Sequence, residues 1–288
     1  MKNTPQAITR IVSLFFVGIL VLGFTSCKKA DLVQEETISE EKITALSSFI
    51  AMSTGVKDAK ITYDRQAKTF AVDKDGRISL ADAELRFNNY QPGGTQANGT
   101  QQRSYMYTLT RTSASLINIY VEPSVPADWV AAIDQSISNW NSTISLVTMK
   151  RVTATTTTTT TGGKGKKNTG STTTTTTTLP SYHIKVTSYY DASTSTVAWA
   201  YLPSFSGNVG PEVSINTKYN YLNAAYKTFT MTHEFGHSIG FTHTDGSYGN
   251  LVPGTPEVDP NSVMNSFILP WQAFTNFDIL AVRTLYPR

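Results

Sequence analysis

His233-Glu234-Phe235-Gly236-His237-Ser238-Ile239-Gly240-Phe241-Thr242-His243 is the stretch from which this 288-residue chain is read. Residues four apart on a helix project from one face, so His233 and His237 can grip a single ion. Glu234 stands beside the first of them, within reach of a water held by that ion, and can serve as general base. Gly240 can adopt positive φ and end the helix sharply. The chain then turns back and offers His243 as a third nitrogen ligand. Three protein ligands leave a fourth position open, which separates catalytic from structural zinc sites. Three imidazoles around a tetrahedral vacancy suit Zn2+. Three of the chain's four histidines fall in this stretch. The plainer alternatives are a helix with surface histidines and a metal site without catalysis.

Downstream, Ser262-Val263-Met264-Asn265 places a methionine at a spacing suited to a turn beneath the histidines. Alone, a methionine is core filler; after a third histidine it carries more weight. The tail, Asp278 to Pro287, reads as a short amphipathic helix with Ile279, Val282 and Leu285/Tyr286 on one face. On these residues the span from about 115 to 288 resembles the metzincin clan of zinc metallopeptidases, with H-E-x-x-H-x-x-G-x-x-H and Met264 as its Met-turn. It is most similar to the bacterial dual-action HEIGH metallopeptidase family, with Phe235 in place of the usual Ile. The run His243-Thr244-Asp245 and the closing Leu285-Tyr286-Pro287 carry the same likeness. The resemblance implies an α+β fold, a twisted mixed β-sheet with an active-site helix and a backing helix. It implies zinc at His233, His237 and His243, Glu234 as catalytic base, Met264 as an apolar floor, and a protein or peptide substrate. Some metzincins carry a Tyr two residues after this Met. Here that position is Ser266, followed by Phe267, which leaves no Tyr there as ligand or oxyanion donor.

The N-terminus gives an address. Lys2 and Arg10 precede an apolar run from Ile11 to Phe24, short of the roughly 20 residues of a membrane span and fitting a secretory signal. Gly23-Phe24-Thr25-Ser26-Cys27 resembles a bacterial lipobox, which implies lipid on Cys27, a membrane contact through that lipid, and a place at the cell envelope (outer membrane, periplasmic or surface side). An ordinary signal peptide with an incidental Cys is the plainer reading. Cys27 is the only cysteine, so the mature domain holds no internal disulfide and its stability rests on its core. Removal of 1–26 takes away Lys2 and Arg10, leaving 22 of the 24 basic residues against 21 acidic ones, net +1 in place of +3. That balance excludes a nucleic-acid partner. A monomer is expected.

The organisation expected is a leader (1–26), a tether with a small N-terminal module and linker (27–104), and a catalytic domain (105–288) with a Thr-rich insertion (152–180). Ser39-Glu40-Glu41-Lys42 caps a helix to about Ser53, and residues 60–64 and 69–72 suggest a small β element. Asp73-Lys74-Asp75-Gly76 invites a calcium reading. In EF-hand register, however, Ala71 falls at position 1 and Asp82 at position 12, so a hairpin turn is the better reading. Residues 91–104 form a linker by composition, and cleavage near Arg103 could release an inhibitory segment.

In the catalytic span, Leu116 to Val121 reads as a strand. Trp129, Ile133, Ile137 and Trp140 recur at helical spacing after Pro126. Thr155–Thr161 and Thr172–Thr178 flank a Gly- and Lys-rich centre, a long hairpin or a disordered loop. His183 is an ordinary strand residue. Val213-Ser214-Ile215-Asn216 reads as the strand before the active-site helix, and an edge role in binding an extended peptide is extended to it. The expectation is a lipid-anchored zinc endopeptidase. The rival is a surface binding or adhesion protein on the same scaffold, catalytically idle, using the Thr-rich hairpin or the N-terminal module.

Overall fold

The computed structural model describes residues 38–54, 61–89, 102–161, 172–245, 249–256 and 259–288. Helix α1 (Glu40–Thr54) begins where Ser39 Oγ accepts the Lys42 N–H, with Glu40 and Glu41 at its positive end. It buries Leu46, Phe49 and Ile50. Strands β1 (Thr62–Asp64), β2 (Thr69–Val72) and β3 (Gly76–Ser79) form an antiparallel meander, and α2 (Leu80–Asn89) follows. Phe70, Val72, Ile78 and Ala83 join α1 in a small core that also takes in Tyr105 and Leu202. The sequence reading anticipated α1, β1 and β2. It did not anticipate β3 and α2, whose apolar positions are too few to stand out.

The chain continues with β4 (Arg103–Ser104), α3 (Arg111–Ser115), β5 (Ile117–Val121), α4 (Ala127–Ser142) and β6 (Met149–Val152). The Thr runs become β7 (Thr155–Thr161) and β8 (Thr172–Thr178), an antiparallel hairpin in register from Thr155↔Thr178 to Thr161↔Thr172. Next come β9 (Ile184–Tyr189), β10 (Ala198–Tyr201), β11 (Glu212–Asn216), α5 (Ala224–Ser238), β12 (Phe241–Thr242), β13 (Asn250–Leu251) and α6 (Asn276–Leu285). The fold is α+β. One twisted mixed sheet runs β1-β2-β3-β10-β11-β9-β5-β6, with β10 antiparallel to β11 and β11, β9, β5 and β6 parallel. Ile117, Ile119, Ile184, Val186, Val213 and Ile215 are fully buried between this sheet and the helices, with Trp129, Ile133 and Trp140 of α4 and Phe235 of α5. Among the described residues no helix is long and apolar enough to cross a membrane.

Two boundaries differ from the sequence reading. The body resumes at residue 102, not after a linker to 104. Gln102 is buried, and its amide donates to Ser262 Oγ (3.0 Å) and Asp278 Oδ1 (2.9 Å). Arg103 and Ser104 form the middle strand of a second sheet, β12-β4-β13, so a cut at Arg103 would meet a buried, paired strand. Nor is the N-terminal module separate. Strand β3 pairs in parallel with β10, and residues 38–288 form one compact unit. Composition marks a linker but carries no record of which strand edges lie free to pair. The leader, Cys27, the tether and most of the linker lie outside the described residues.

The C-terminal helix closes the structure. Thr275 and Asp278 form a capping box on α6. Just beyond α6, buried Tyr286 donates its hydroxyl to the Ile239 carbonyl and accepts the Leu109 N–H (3.2 Å). Tyr286→Phe leaves both backbone groups buried without that partner. Urea unfolding should show a loss of about 1–3 kcal/mol.

Candidate metal centre

Asn223 caps α5, its side chain accepting from the Ala225 and Tyr226 N–H groups. Every residue of α5 from Lys227 to Ser238 is buried. Helix α4 backs it: Trp140 Nε1 donates to the Thr232 carbonyl (3.0 Å), Thr232 Oγ1 to Ser136 Oγ (3.0 Å), and Lys227 forms an ion pair with Asp128. A helix held on all sides presents His233 and His237 in fixed orientation. Gly240, at φ +104°, ends it, and the chain doubles back through β12 to His243. Pairing of Thr242 with Arg103 in β4 fixes that return.

Each imidazole is oriented through its Nδ1. His233 Nδ1 lies 2.7 Å from the Val263 carbonyl, His237 Nδ1 2.8 Å from the Phe241 carbonyl, and His243 Nδ1 3.0 Å from Asp73 Oδ2. These partners only accept, so Nδ1 carries the proton in each ring and Nε2 is free to bind a metal. The three Nε2 atoms converge, with His243 Nε2 3.2 Å from both of the others. A fourth donor joins them. Asp75 Oδ1 lies 3.3 Å from His237 Nε2 and 3.2 Å from His243 Nε2, and its Oδ2 lies 3.6 Å from His233 Nε2. An ion bonded at about 2.0–2.1 Å in a tetrahedron needs donors about 3.3 Å apart. The donor set and its spacing therefore fit zinc.

The electrostatics call for a cation at this point. Burial pushes His233 down to about 4, so its ring is neutral. Against the same burial, the Asp75 and Asp73 carboxylates push His243 up to about 10. Against burial, His243 and His237 hold the Asp75 carboxyl well below the usual range. Burial, and then the Asp75 charge, push Glu234 well above it. Buried Asp75 Oδ1 and Glu234 Oε2 accept no hydrogen bond. Unsatisfied buried oxygens facing converged imidazoles mark a place for an ion and a polar reactant. Beside it opens a cavity of about 200 Å3, lined by His233, Glu234, Thr196, Ala198, Phe229 and Ile268, among others.

Met264 lies beneath the site. Its backbone carbonyl accepts the Thr244 N–H (2.9 Å), and its Sδ sits 2.3 Å from where a Cβ on Gly236 would stand. That approach explains why a glycine occupies the second variable position of H-E-x-x-H. Gly236→Ala should destabilise by about 1–3 kcal/mol through overpacking. Met264→Ala in the same chain should recover part of that loss, a non-additive pair readable by denaturant titration.

The remaining sequence-based expectations fall as follows. Asp245 is not among the four donors; it accepts from Ser266 N (2.9 Å) and Oγ (2.6 Å) and ties the loop to the segment after Met264. His183 Nδ1 accepts the Asn118 N–H (2.9 Å), a strand-end role. The substrate-edge role given to Val213, Ser214, Ile215 and Asn216 is corrected. Strand β11 pairs with β10 on one side and β9 on the other, so its main chain is spent within the sheet. The strand beside the cleft is β10. Asp75 was missed as part of the site. The turn containing it was read as a hairpin turn, which it is, but its sequence neighbourhood gives no metal spacing.

Residues 127–244, from the start of α4 to just beyond His243, match the model of the metallo-peptidase family M12B, reprolysin-like. With the His/Asp cluster, this supports a metallopeptidase domain binding a metal of zinc type. Among solved structures the chain is similar to myroilysin, at 14% identity over 62% of this chain and 84% of that one, with a TM-score of 0.38. It is also similar to high choriolytic enzyme 1, a hatching-enzyme zinc protease from the medaka fish Oryzias latipes, at 13% identity over 62% and 93%, with a TM-score of 0.38. No curated protein sequence matches the chain.

Proposed function

We propose that the protein is a metzincin-type zinc endopeptidase of the HEIGH kind, held at the bacterial cell envelope by lipid on Cys27. The observation that carries the catalytic part is the convergence of three Nε2 atoms, His243 Nε2 lying 3.2 Å from each of the other two, beside the buried glutamate that follows His233 on α5. His233, His237 and His243 would hold the metal. Bound there, zinc would supply a Lewis acid for a peptide carbonyl and lower the pKa of a water towards about 7.

Glu234 takes the proton from the attacking water and returns it to the leaving nitrogen. Its burial keeps that proton from bulk solvent. The Val263 and Phe241 carbonyls hold two of the imidazoles in the ligating tautomer. The 200 Å3 cavity beside His233 and Glu234 has space for one substrate side chain and is lined on part of its wall by Phe229, Val197 and Ile268. The envelope location rests on the leader sequence alone.

The test is metal content with cleavage of casein or gelatin by the purified protein. About one zinc per chain and chelator-sensitive cleavage support the reading. Saturable ligand binding indifferent to chelation, without cleavage, would favour an adhesion protein.

A further inference from the structure

Strands β7 and β8 make a two-stranded sheet of their own, and neither outer edge pairs with another strand among the described residues. Residues 155–160 and 173–178 are exposed, and Thr156 Oγ1 meets Thr177 Oγ1 at 3.5 Å across the ladder. In an antiparallel pair about half of each strand's backbone N–H and C=O groups point away from the partner, so two seven-residue edges stand open. Edges elsewhere in the molecule are guarded. The eight-stranded sheet ends in β1, three residues long and closed by Asp64, and in β6, four residues long with exposed Lys150 and Arg151. Short length and charge keep an edge from pairing with another chain. Both Thr strands lack charge, proline and glycine, and are β-branched throughout. A two-stranded hairpin with no buried face is marginal in water, and further strands stabilise it.

We propose that the Thr hairpin is a self-association site: a second copy of this chain sets its own hairpin edge to edge, like strand on like strand and antiparallel, to complete a four-stranded sheet. Charge and bulk choose that arrangement. The link between the strands, residues 162–171, carries Lys164, Lys166 and Lys167. Pairing β8 of one copy with β7 of the next, antiparallel, would set both basic links at one end and both folded bodies two strand spacings, about 10 Å, apart. A body of residues 38–288 has a radius of gyration of about 18 Å, so the two would collide. Pairing β8 with β8, or β7 with β7, about a two-fold axis sends links and bodies to opposite ends of a sheet about 24 Å long. Thr158 and Thr175 are the mid-points of their strands and lie opposite each other. Under the two-fold, Thr158 faces Thr158 of the second copy and Thr156 faces its Thr160. Because every residue is Thr, a slip of register moves no apolar side chain to the wrong face, so the contact tolerates several registers. Two seven-residue strands bury less than the roughly 1,200 Å2 of a lasting interface, so the association is reversible and concentration-dependent.

The full chain, purified in detergent, is followed by sedimentation velocity from micromolar to submillimolar concentration. The wild type is compared with a charged variant (Thr156→Lys, Thr158→Lys, Thr160→Lys, Thr173→Glu, Thr175→Glu and Thr177→Glu) and with valine at the same six positions. Within one hairpin the charged variant sets Lys opposite Glu at 156↔177, 158↔175 and 160↔173, which holds the hairpin together. Between copies it sets Lys against Lys or Glu against Glu. The wild type should pass from monomer to dimer as concentration rises, and the valine variant should do so at least as readily. The charged variant should dimerise about tenfold more weakly or worse. Hydrogen exchange on the wild type gives an independent readout: amides of residues 155–161 and 172–178 should exchange more slowly as concentration rises. A wild type that stays monomeric, exchange in these strands indifferent to concentration, or a valine variant that no longer associates overturns the proposal. So does equal association of the wild type and the charged variant, the result expected if copies meet through lipid or another surface.

Discussion

Glu234→Gln is expected to keep its zinc and lose turnover by about 10²- to 10⁴-fold, the range a positioned general base supplies. Glutamine matches glutamate in size, and the helix around it is buried, so the fold should survive. It lacks the basic oxygen that takes a proton from water. Glu234 is not among the converged donors, so metal content should stay near that of the wild type. The measurement is metal content beside kcat/KM on a peptide, made on the variant and the wild-type chain together. Undiminished turnover would remove Glu234 as the base.

His237→Ala should abolish metal binding and activity together. His237 is fully buried, its Nε2 lies 3.2 Å from His243 Nε2 and its Nδ1 is held by the Phe241 carbonyl. No other described side chain stands ready to replace it in the cluster of Asp75, His233, His237 and His243. The stability readout is independent of catalysis. A ligand that binds only the folded state at a thousand times its Kd stabilises by about 4 kcal/mol. For a chain of this size that corresponds to a Tm rise of about 10 °C on adding zinc. The wild type should show this rise and lose it with a chelator, whereas His237→Ala should show none. A full zinc-dependent rise in the variant would mean that the histidines are not the principal ligands.

Much of the fold was legible because its signals are local. Trp129, Ile133, Ile137 and Trp140 recur with the period of a helix, and all four are buried on α4. Ile184 and Val186 alternate with polar residues and form the inward face of β9. The paired Thr runs became a hairpin because β-branched residues favour extended backbone. Strand order was not legible. Val213 to Asn216 reads equally well as an edge or a central strand, since pairing is made by backbone groups that every residue carries. Only the placement of β9 and β10 on either side decided it.

The sequence by itself determined the ligand helix and its end. Spacings of four and six residues and a glycine that can take positive φ set His233 and His237 on one helix face and turn the chain back towards them with His243, a return that β4 then fixes. The tertiary structure alone decided what faces them. Asp73 and His243 are 170 residues apart, and no periodicity links them. They meet because β3 completes the free edge of β10, burying Phe70, Val72 and Ile78 against Leu202 and Tyr105, and that docking delivers Asp75 to the fourth position.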